Sequence, residues 1–575
     1  MLTSREEESQ PLECRERGLA LAFCGRVDNR AELLRSLDCA DPEWSDARMV
    51  LESWRRWGET TLEKVLGPYS LALVDRRART VLLARDPLAQ RGLVFVSDGE
   101  RLVAATEEAA LLAEGTATAE PNDGALSRLF ANASPDPEWT FFRDIRRVAP
   151  GSLVRWRRGS LRAERYWRPT EPTPIQRSDG EHTEAVRAAL AAAVERRLRG
   201  RCAPAVMMSG GLDSTTVAAW MARLLPDRPM VISWMFDALP EADERDWIEA
   251  MRDECGLEHV GVPADGEWPL RRLGSRPVNP NAPIENLYCG LVDETYRRVR
   301  ASGRNVVLNG EYGDHLYLDQ IHWLEDRWAA GRYVAAIHGV VRELALHRHR
   351  REAGGPTLRG AVGCLLGRSP QAAPPPFLTP FAREHWRPPP AHPSRASAAW
   401  DRILHAWDAR FSEWEARRAA QLGVEVRRPY RDLRLIETFL ELPADQLFDP
   451  PWTKAVTRRA MAGILPETVR LRTRRTTLLP LASRGIDQRE RAAVASLLGS
   501  EDALWPRYVQ RSWVLPEGAA SPAPLVEGRG SFLVWLAITT ELWARTLRSG
   551  DVEGGAAAVA RPAVPEYDAG SQGRG

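Results

Sequence analysis

The sequence predicts an α/β protein in two parts, a β-rich α+β part followed by a part built on a parallel β-sheet. Residues 19–113 alternate short apolar runs with turns around one helix near 45–58, a pattern typical of a β-rich fold. From residue 181 onward, apolar runs alternate with helical stretches, which favours parallel strands with helices on both faces. Residues 169–180, with the sequence RPTEPTPIQRSD, form a Pro-rich polar segment typical of a linker.

These patterns divide the chain into four segments. We expect a domain at 1–168, the linker at 169–180, and a larger domain at 181–550 that is mainly helical in its later half. The Gly- and Ala-rich segment 551–575 is expected to be a flexible tail. A Pro-rich stretch at 371–393 is expected to form an exposed loop or to be partly disordered.

Composition and charge argue against several classes of protein. The 575 residues carry a formal net charge of +1, which gives no overall attraction to nucleic acid or to a membrane surface. Seven cysteines without a C-x-x-C pair fit a reducing compartment better than a disulfide framework. The sequence shows neither a signal peptide nor an apolar run of about 18 residues. We therefore expect a cytoplasmic protein with neither a nucleic-acid nor a membrane partner. Lys64 and Lys454 are the only lysines.

A glycine-rich turn at residues 209–214 carries the strongest chemical signal. The sequence SGGLDS follows a buried strand and opens a helix, so backbone amides and the helix N-terminus can face an anion. The hydroxyl groups of Ser209 and Ser214 can donate to phosphate oxygens, and the Asp213 carboxylate fits beside them if it holds Mg²⁺. The alternative is a plain Gly-rich turn with an Asp helix cap. The predicted ATP-binding residues of this turn are Ser209, Gly210, Gly211, Asp213 and Ser214.

The type of turn predicts which bond of ATP is cut. No G-x-x-x-x-G-K-[ST] sequence is present, which argues against a Walker-type ATPase. A loop that holds the β,γ end as the leaving group implies attack at the α-phosphorus, with AMP and pyrophosphate as products. A second turn, NGEYGD at 309–314, again places a carboxylate after a strand, where open α/β sheets bind ligands. Asp213 and Asp314 could therefore meet on one Mg²⁺ ion, although Asp314 alone would fit an ordinary loop.

In its motifs the chain resembles the asparagine synthetase family over nearly its whole length. SGGLDS is similar to the family's pyrophosphate loop, and later segments resemble its further motifs in the same order: NGEYGDHL, EVRRPYRDLRLIETFLELP and KAVTRRAMAGILPETVRLRTR. The first part resembles the family's glutaminase domain in CGRVDNRAELL, GPYSLALVDRRARTVLLARDPLAQRGL and FFRDIRRVAPGSLVRW. The resemblance implies a degenerate Ntn-type, glutaminase-like α+β sandwich. It implies that a parallel-sheet ATP-pyrophosphatase domain follows, similar to adenine nucleotide alpha hydrolases, with helical additions.

The first part departs from the family at the residue that its glutaminase needs. That residue is a cysteine at position 1 of the mature chain, whose free amine serves as the base. The sequence opens with Met1 and Leu2, and the segment that normally precedes the first motif is absent. Cys14 and Cys24 cannot take the terminal position without processing. The resemblance therefore implies a glutaminase relic, kept for packing or for docking a partner.

The resemblance also implies roles for residues of the second part. Arg474 stands where the closing R-x-K motif has its lysine, and an arginine can stabilise negative charge without giving up a proton. Lys454 matches an earlier family lysine or is a solvated helix lysine, and replacing Arg474 is expected to cost more turnover. Glu311 is expected to steer or deprotonate the attacking amine, unless it only bonds backbone amides. His315 replaces an acidic residue and has no functional account. The residues expected to border the adenosine are Met207, Ile232, Ser233 and Gly310.

Among family members without a glutaminase, the chain most resembles the macrolactam synthetases that close lasso peptides. That resemblance implies an enzyme that uses ATP and Mg²⁺ to adenylate an Asp or Glu side chain of a leader-free precursor peptide, whose own N-terminal amine then attacks. It also implies two partners, a separate leader peptidase and a leader-recognition protein. The alternatives are an ammonia-using amidotransferase, a non-catalytic family member and a β-lactam synthetase. A tyrosine in place of Glu311 is typical of β-lactam synthetases.

Overall fold

A computed structural model of the chain describes most of its residues, and the statements below refer to those. They are residues 9–38, 43–134, 136–199, 204–272, 277–345, 357–366, 373–388, 392, 394–515 and 530–549. The predicted tail at 551–575 lies outside the described residues.

The first part contains nine strands and five α-helices within its described residues. The strands are β1 (Leu12–Cys14), β2 (Leu19–Gly25), β3 (Tyr69–Asp75), β4 (Thr80–Arg85), β5 (Val94–Ser97), β6 (Leu102–Ala105), β7 (Arg146–Arg147), β8 (Ser152–Arg157) and β9 (Ser160–Arg165). The helices are α1 (Arg30–Ser36), α2 (Asp46–Trp57), α3 (Thr61–Lys64), α4 (Glu108–Ala113) and α5 (Asp123–Phe130). One antiparallel sheet has the order β1-β2-β3-β4-β8-β9, and a smaller one has the order β6-β5-β7.

The larger sheet is covered on both faces, which gives the sandwich that the family resemblance implies. Along β4, Leu83 packs with Phe95 of the smaller sheet, whereas its neighbours Leu82 and Ala84 pack with Met49 of α2. Because successive side chains of a strand point to opposite faces, the two layers lie on opposite sides of the larger sheet. The first part is therefore an α+β sandwich.

The second part has its own strands and most of the helices. Its strands are β10 (Ala205–Met207), β11 (Met230–Met235), β12 (Glu258–Pro263), β13 (Val306–Leu308), β14 (Glu425–Arg427), β15 (Phe448–Asp449) and β16 (Trp452–Thr453). Its helices are α6 (Asp179–Leu198), α7 (Leu212–Leu224), α8 (Arg245–Cys255), α9 (Cys289–Ala301), α10 (Trp323–Ala329), α11 (Tyr333–Ala345), α12 (Leu358–Leu365), α13 (Pro380–Glu384), α14 (Arg395–Ile403), α15 (Ala406–Gln421), α16 (Leu433–Leu440), α17 (Ala444–Leu447), α18 (Ala455–Ala460), α19 (Glu467–Arg470), α20 (Leu479–Ser483), α21 (Arg491–Leu498), α22 (Arg511–Val514) and α23 (Gly530–Ser549). No helix among the described residues is long and apolar enough to cross a membrane.

Five parallel strands form the central sheet of the second part, in the order β12-β11-β10-β13-β14. On one face, Val206 packs with Met221 of α7 and Met251 of α8. On the other face, Ala205 packs with Tyr296 of α9. The predicted parallel sheet with helices on both faces is confirmed. Because the chain runs outward from β10 in both directions, the carboxyl ends of β10 and β13 form the switch point of the sheet.

The last helices fold back against the first part. Trp543 of α23 is fully buried and packs in one apolar cluster with Phe130 of α5. Leu378 and Ala382 are buried in the same cluster. Within residues 373–388, the described part of the stretch predicted to be an exposed loop, the prediction is therefore wrong for these two apolar residues and for the helix at Pro380–Glu384, whereas about half of the residues are exposed.

The Pro-rich linker is attached to the second part. The Ile175 N–H donates to the carbonyl of Glu441 at 2.9 Å. Ser178 and Glu181 form a reciprocal capping box that starts α6 at Asp179. The capping box gives this helix a defined start directly after the Pro-rich residues.

Candidate active site

A cavity of about 550 Å³ opens at the carboxyl ends of β10 and β13. These strands are neighbours, so the turns that follow them meet where ligands usually bind in open α/β sheets. Of the predicted site residues, Gly210 alone does not line this cavity. The lining includes Met207, Ser209, Gly211, Asp213, Ser214, Ile232, Ser233, Gly310, Glu311, Asp314, Lys454 and Arg474.

The SGGLDS turn is shaped by hydrogen bonds among its own residues. The Ser209 N–H donates to Oγ of Ser214 at 3.0 Å, and the Gly211 N–H donates to Oγ of Ser209 at 3.2 Å. Gly211 is the N-cap of α7, which begins at Leu212. The positive end of the helix dipole and two hydroxyl groups therefore lie at one wall of the cavity, an arrangement suited to an anion.

Glu244 and Arg472 flank this turn, and reasoning from the sequence did not identify either. The Gly210 N–H donates to Oε2 of Glu244 at 3.1 Å, so this amide is already bonded. Arg472 pairs with Glu244 at 2.8 Å, and its guanidinium lies 3.8 Å from the centre of the Trp247 ring. Arg472 is the first residue of the closing R-x-K-like motif. The motif therefore pointed to this segment, but the sequence analysis assigned the functional role to Arg474.

The second turn approaches the first closely because two of its residues are glycines. A Cβ atom at Gly310 would lie 2.5 Å from the backbone nitrogen of Ser214, which cannot move without moving the turn. A Cβ atom at Gly313 would collide with the Asp213 carboxylate. The two glycines thus bring Asp213 and Asp314 to the same part of the cavity.

Lys454 lies between the two predicted magnesium ligands. Its Nζ is 2.5 Å from Oδ2 of Asp213 and 2.7 Å from Oδ1 of Asp314. The side chain is only 11% exposed, and the centre of the Tyr317 ring lies 5.3 Å from Nζ. The interpretation of Lys454 as a solvated helix lysine is therefore wrong. Its backbone is left-handed, with φ of 57°, a strained conformation for a non-glycine residue that the surrounding contacts must hold.

Burial and charge oppose each other in this trio. Burial raises the pKa of Asp213, Lys454 opposes the rise, and Asp314 adds to it. Loss of hydration on the side that faces the protein would raise the pKa of Asp314, whose side chain is otherwise 69% exposed, but the Lys454 ammonium leaves that pKa below its ordinary value. Burial also disfavours the charged lysine, yet the two carboxylates hold the pKa of Lys454 above its ordinary value. Lys454 is therefore a permanent cation at neutral pH.

The aspartates fit a magnesium ion only in part. Oδ1 of Asp213 is buried and has no hydrogen-bond partner among the residues that the structure describes, and the Asp314 side chain is 69% exposed. Carboxylate oxygens are ligands that Mg²⁺ prefers. Among the described residues, however, no group of three or more metal-ligating side chains is present. A magnesium ion held here would take the rest of its coordination from phosphate or water oxygens.

Arg474 and Arg475 both line the cavity and are both exposed. The Arg474 carbonyl accepts a hydrogen bond from Nε of Arg472 at 2.8 Å. Of the two exposed arginines, Arg475 is the one whose charge lowers the pKa values of Asp213 and Asp314. Motif matching singled out Arg474 and missed Arg475, because it assigns roles by order along the chain and not by distance.

Glu311 belongs to a row of charged groups that reaches into the protein. One of its carboxylate oxygens lies 2.9 Å from Nε of Arg428, and Arg428 also pairs with Glu415. Glu415 accepts a hydrogen bond from the Tyr296 hydroxyl at 2.6 Å. Burial and the nearby Glu311 charge raise the pKa of Glu415 to about 7. The partner of the Glu311 side chain is thus an arginine, and the alternative that it only bonds backbone amides is wrong.

His315 packs against the second turn and stays neutral. Its ring lies edge-on to Tyr312, with the ring centres 5.1 Å apart. Burial and the charge of Arg431 lower the pKa of His315 to about 4. Tyr312 is itself left-handed, with φ of 68°, and its hydroxyl lies 2.6 Å from Oγ of Ser412. The contacts therefore indicate a structural role for His315, because its neutral imidazole packs against this strained tyrosine.

Comparison with known proteins finds two family models along the chain. The model of the asparagine synthase family matches residues 185–544. The model of a glutamine amidotransferase domain matches residues 1–167. The first match contains the SGGLDS turn, Glu311 and Lys454.

Curated relatives match about half of the chain. Carboxyethyl-arginine beta-lactam-synthase of Streptomyces clavuligerus is 33% identical over 50% of this chain and 55% of its own length. Asparagine synthetase (glutamine-hydrolyzing) 3 of Bacillus subtilis is 24% identical over 44% of each chain. Amidase chry2 of Gibberella zeae is 26% identical over 47% of this chain and 42% of its own. The chain thus spans about half the length of these relatives.

Proposed function

The chain belongs to the asparagine synthase family, and on that premise we propose that it is an ATP-dependent carbon–nitrogen ligase that closes macrolactam rings in peptides. It adenylates an Asp or Glu side-chain carboxylate of a leader-free peptide, and the N-terminal amine of the same peptide displaces AMP. One observation carries the proposal: the SGGLDS turn, the two aspartates held by Lys454, and Glu311 line one cavity.

The activation step brings a carboxylate to the α-phosphorus of ATP and releases pyrophosphate. Cations and hydrogen-bond donors placed before the reaction lower the barrier of such a step. The hydroxyls of the SGGLDS turn would hold the pyrophosphate end of ATP. Asp213 and Asp314 would hold Mg²⁺, which neutralises phosphate charge when bound. Lys454 lies within 2.7 Å of an oxygen of each aspartate and so fixes the two carboxylates in place.

The amide-forming step needs a group that orients the amine and takes its proton. Glu311 lines the cavity and is 32% exposed, so a substrate amine can reach it. Arg428 holds the carboxylate at 2.9 Å and thereby limits its rotation. Behind Arg428, Glu415 can hold a proton near neutral pH because its pKa is raised to about 7. These contacts support Glu311 as the general base.

A peptide substrate is supported by the chemistry of the intermediate. An acyl-adenylate is readily hydrolysed, so the nucleophile must be close before activation. An amine in the same molecule meets this need through its high effective concentration. The resemblance to lasso peptide cyclases points to the same substrate. We propose further that the chain works with a separate leader peptidase and a leader-recognition protein.

The test uses the full chain with ATP, Mg²⁺ and linear peptides that have a free N-terminus and one internal Asp or Glu. We expect AMP and pyrophosphate, together with a peptide product lighter by one water. Matched peptides with Asn or Gln at the acidic position, or with an acetylated N-terminus, should give no ring. Formation of ADP and phosphate would contradict the assignment of the turn. Amidation of free aspartate with ammonium at a comparable rate would replace the macrocyclase with a simple amidotransferase.

A second candidate is closure of a small β-lactam ring. The 33% identity to carboxyethyl-arginine beta-lactam-synthase favours it. Glu311 counts against it, because β-lactam synthetases carry a tyrosine at that position. The same assay decides between the two, since a β-lactam synthetase would form AMP with an N-carboxyalkyl amino acid and not with linear peptides.

A further inference from the structure

Helix α15 lies between the first part of the chain and the second turn of the active site. The side chains that contact the first part are those of Trp407, Arg410, Glu413 and Arg417. The side chains that contact Tyr312, His315 or Arg428 around the second turn are those of Asp408, Ser412 and Glu415. Within each set the residues recur every three or four positions, so each set shares one face of the helix, and the two faces are opposite. Helix α15 therefore joins the first part to the active site.

Glu413 and Arg417 carry the charges on the face towards the first part. The Glu413 carboxylate pairs with Arg85 and Arg147, whose side chains are only 2% and 5% exposed. One turn further along the helix, Nε of Arg417 lies 2.7 Å from Oε2 of Glu107. Loss of one partner from a buried ion pair leaves an uncompensated charge, so such pairs hold their elements firmly. This face therefore fixes α15 against the first part.

The opposite face of α15 holds the second turn in two places. Oγ of Ser412 lies 2.6 Å from the hydroxyl of Tyr312, the residue that follows Glu311. The left-handed backbone of Tyr312 is held by contacts of this kind. Glu415 pairs with Arg428, and Nε of Arg428 lies 2.9 Å from the Glu311 carboxylate. Glu311 is thus connected to α15 both through its neighbour in the chain and through the arginine that binds it.

Arg431 gives the first part a second contact with the same turn. Its Nη2 donates to the carbonyl of Leu88 in the first part at 2.7 Å. Its guanidinium carbon lies 4.9 Å from the centre of the Tyr312 ring. Two connections from the first part therefore converge on the residues next to Glu311.

We propose that the first part of the chain, through Glu413 and α15, positions Glu311 for the amide-forming step. This inference rests on the proposed function, in which Glu311 takes the proton of the amine. Glu413 does not line the active-site cavity, so it is a positioning residue. A displacement of about 1 Å at a reacting group can cost about 10²-fold in rate, so a firm support for Glu311 matters for catalysis. None of the contacts of α15 given above involves the SGGLDS turn, so activation of the carboxylate should not depend on them.

Hydrogen exchange tests the positioning without any substrate. In Glu413→Gln, we expect the amides of residues 309–317 to exchange about fivefold faster than in the wild type, with those of 209–214 unchanged. Asp46→Asn is the matched control, because Asp46 of α2 is also buried and pairs with arginines of both parts but not with α15. It should leave both turns unchanged. Unchanged exchange at 309–317 in Glu413→Gln, or an equal rise in both turns, would overturn the proposal.

The rates of the two chemical steps test the consequence for the reaction. Glu413→Gln should lower ring closure about fivefold, with ATP–pyrophosphate exchange within about twofold of the wild type. More AMP should be released per ring, because an adenylate that meets no deprotonated amine is hydrolysed. Losses of the same size in both steps would contradict a positioning role. Arg417→Gln should show the same pattern more weakly, and it decides both measurements if Glu413→Gln does not fold. A wild type that closes no ring would contradict the proposed function, whereas hydrogen exchange would still decide the positioning.

Discussion

Two groups that reach the active-site cavity have the same arrangement, a cation that contacts two carboxylates, but differ in their chemistry. In the first, Lys454 lies between Asp213 and Asp314. In the second, Arg428 lies between Glu311 and Glu415. The outer carboxylate of each, Asp314 or Glu311, is the exposed one, at 69% and 32%.

Burial raises the pKa of the inner acid in both groups, Asp213 and Glu415, so the groups differ in the outer acid of the first. The lysine leaves the pKa of Asp314 below its ordinary value, so this acid stays charged at neutral pH. Burial raises the pKa of Glu415 to about 7, so this acid can gain or lose a proton there. A fixed charge suits the binding of phosphate and metal, whereas an acid that titrates near neutrality suits the handling of an amine proton. We propose that the two groups serve different steps of the reaction.

The largest expected effect comes from breaking the first group at Asp213. Asp213→Ala removes a carboxylate from the cavity and leaves Lys454 with one partner. We expect ATP–pyrophosphate exchange to fall at least about 10²-fold, the scale for losing one key electrostatic group. Asp227→Ala, an exposed aspartate after α7, is the control and should keep wild-type exchange. If Asp213→Ala kept most of its exchange activity, the first group would have no part in activation.

Lys454 and Arg474 give the next contrast. From the sequence, Arg474 was expected to matter more. The structure argues for the reverse order, because Lys454 is buried between two acids whereas Arg474 is exposed. We expect Lys454→Ala to lower kcat/KM by about 10²-fold and Arg474→Ala by about tenfold or less, since an exposed charge is well screened. Steady-state kinetics of AMP formation decide the order. A larger loss in Arg474→Ala would mean that Arg474 is the more important cation, as the sequence predicts.

How far the sequence could predict this site depends on how local each feature is. The SGGLDS motif is contiguous in the sequence. The turn, the helix that follows it and its position on the sheet were therefore predictable from these six residues. The motif identified Lys454 as a candidate residue but did not predict that its side chain is buried. That burial depends on contacts with turns more than 100 residues earlier in the chain. Glu415 gave no signal at all. It lies in a helix rich in charged residues, and only packing against α9 and Arg428 separates it from a surface glutamate.

Glu415→Gln separates the two steps of the reaction. The amide keeps the size of the side chain but cannot carry the charge or exchange a proton. We expect amide formation to fall about tenfold, less than the roughly 10²-fold or more for a group that itself transfers the proton, because Glu415 acts through Arg428 and Glu311. ATP–pyrophosphate exchange should stay within about twofold of the wild type. Single-turnover assays that follow AMP and ring closure separately measure both. Glu184→Gln on the surface of α6 serves as the control. An equal loss in both steps would mean that Glu415 only supports the fold.

The smallest expected effect concerns stability and pH. The pKa of Glu415 rises from the ordinary value of 4.5 in the unfolded chain to about 7 in the folded one. The folded state therefore binds this proton more tightly, and the stabilisation is complete below about 4.5 and lost as the pH rises through about 7. The glutamine of Glu415→Gln cannot titrate. Between pH 5 and 8 the Tm of the wild type should therefore fall by a few degrees relative to the Tm of the variant. Scanning calorimetry across this range, with Glu184→Gln as reference, measures it. A Tm difference that stays constant with pH would show that Glu415 is charged throughout, and the contrast between the two groups would then disappear.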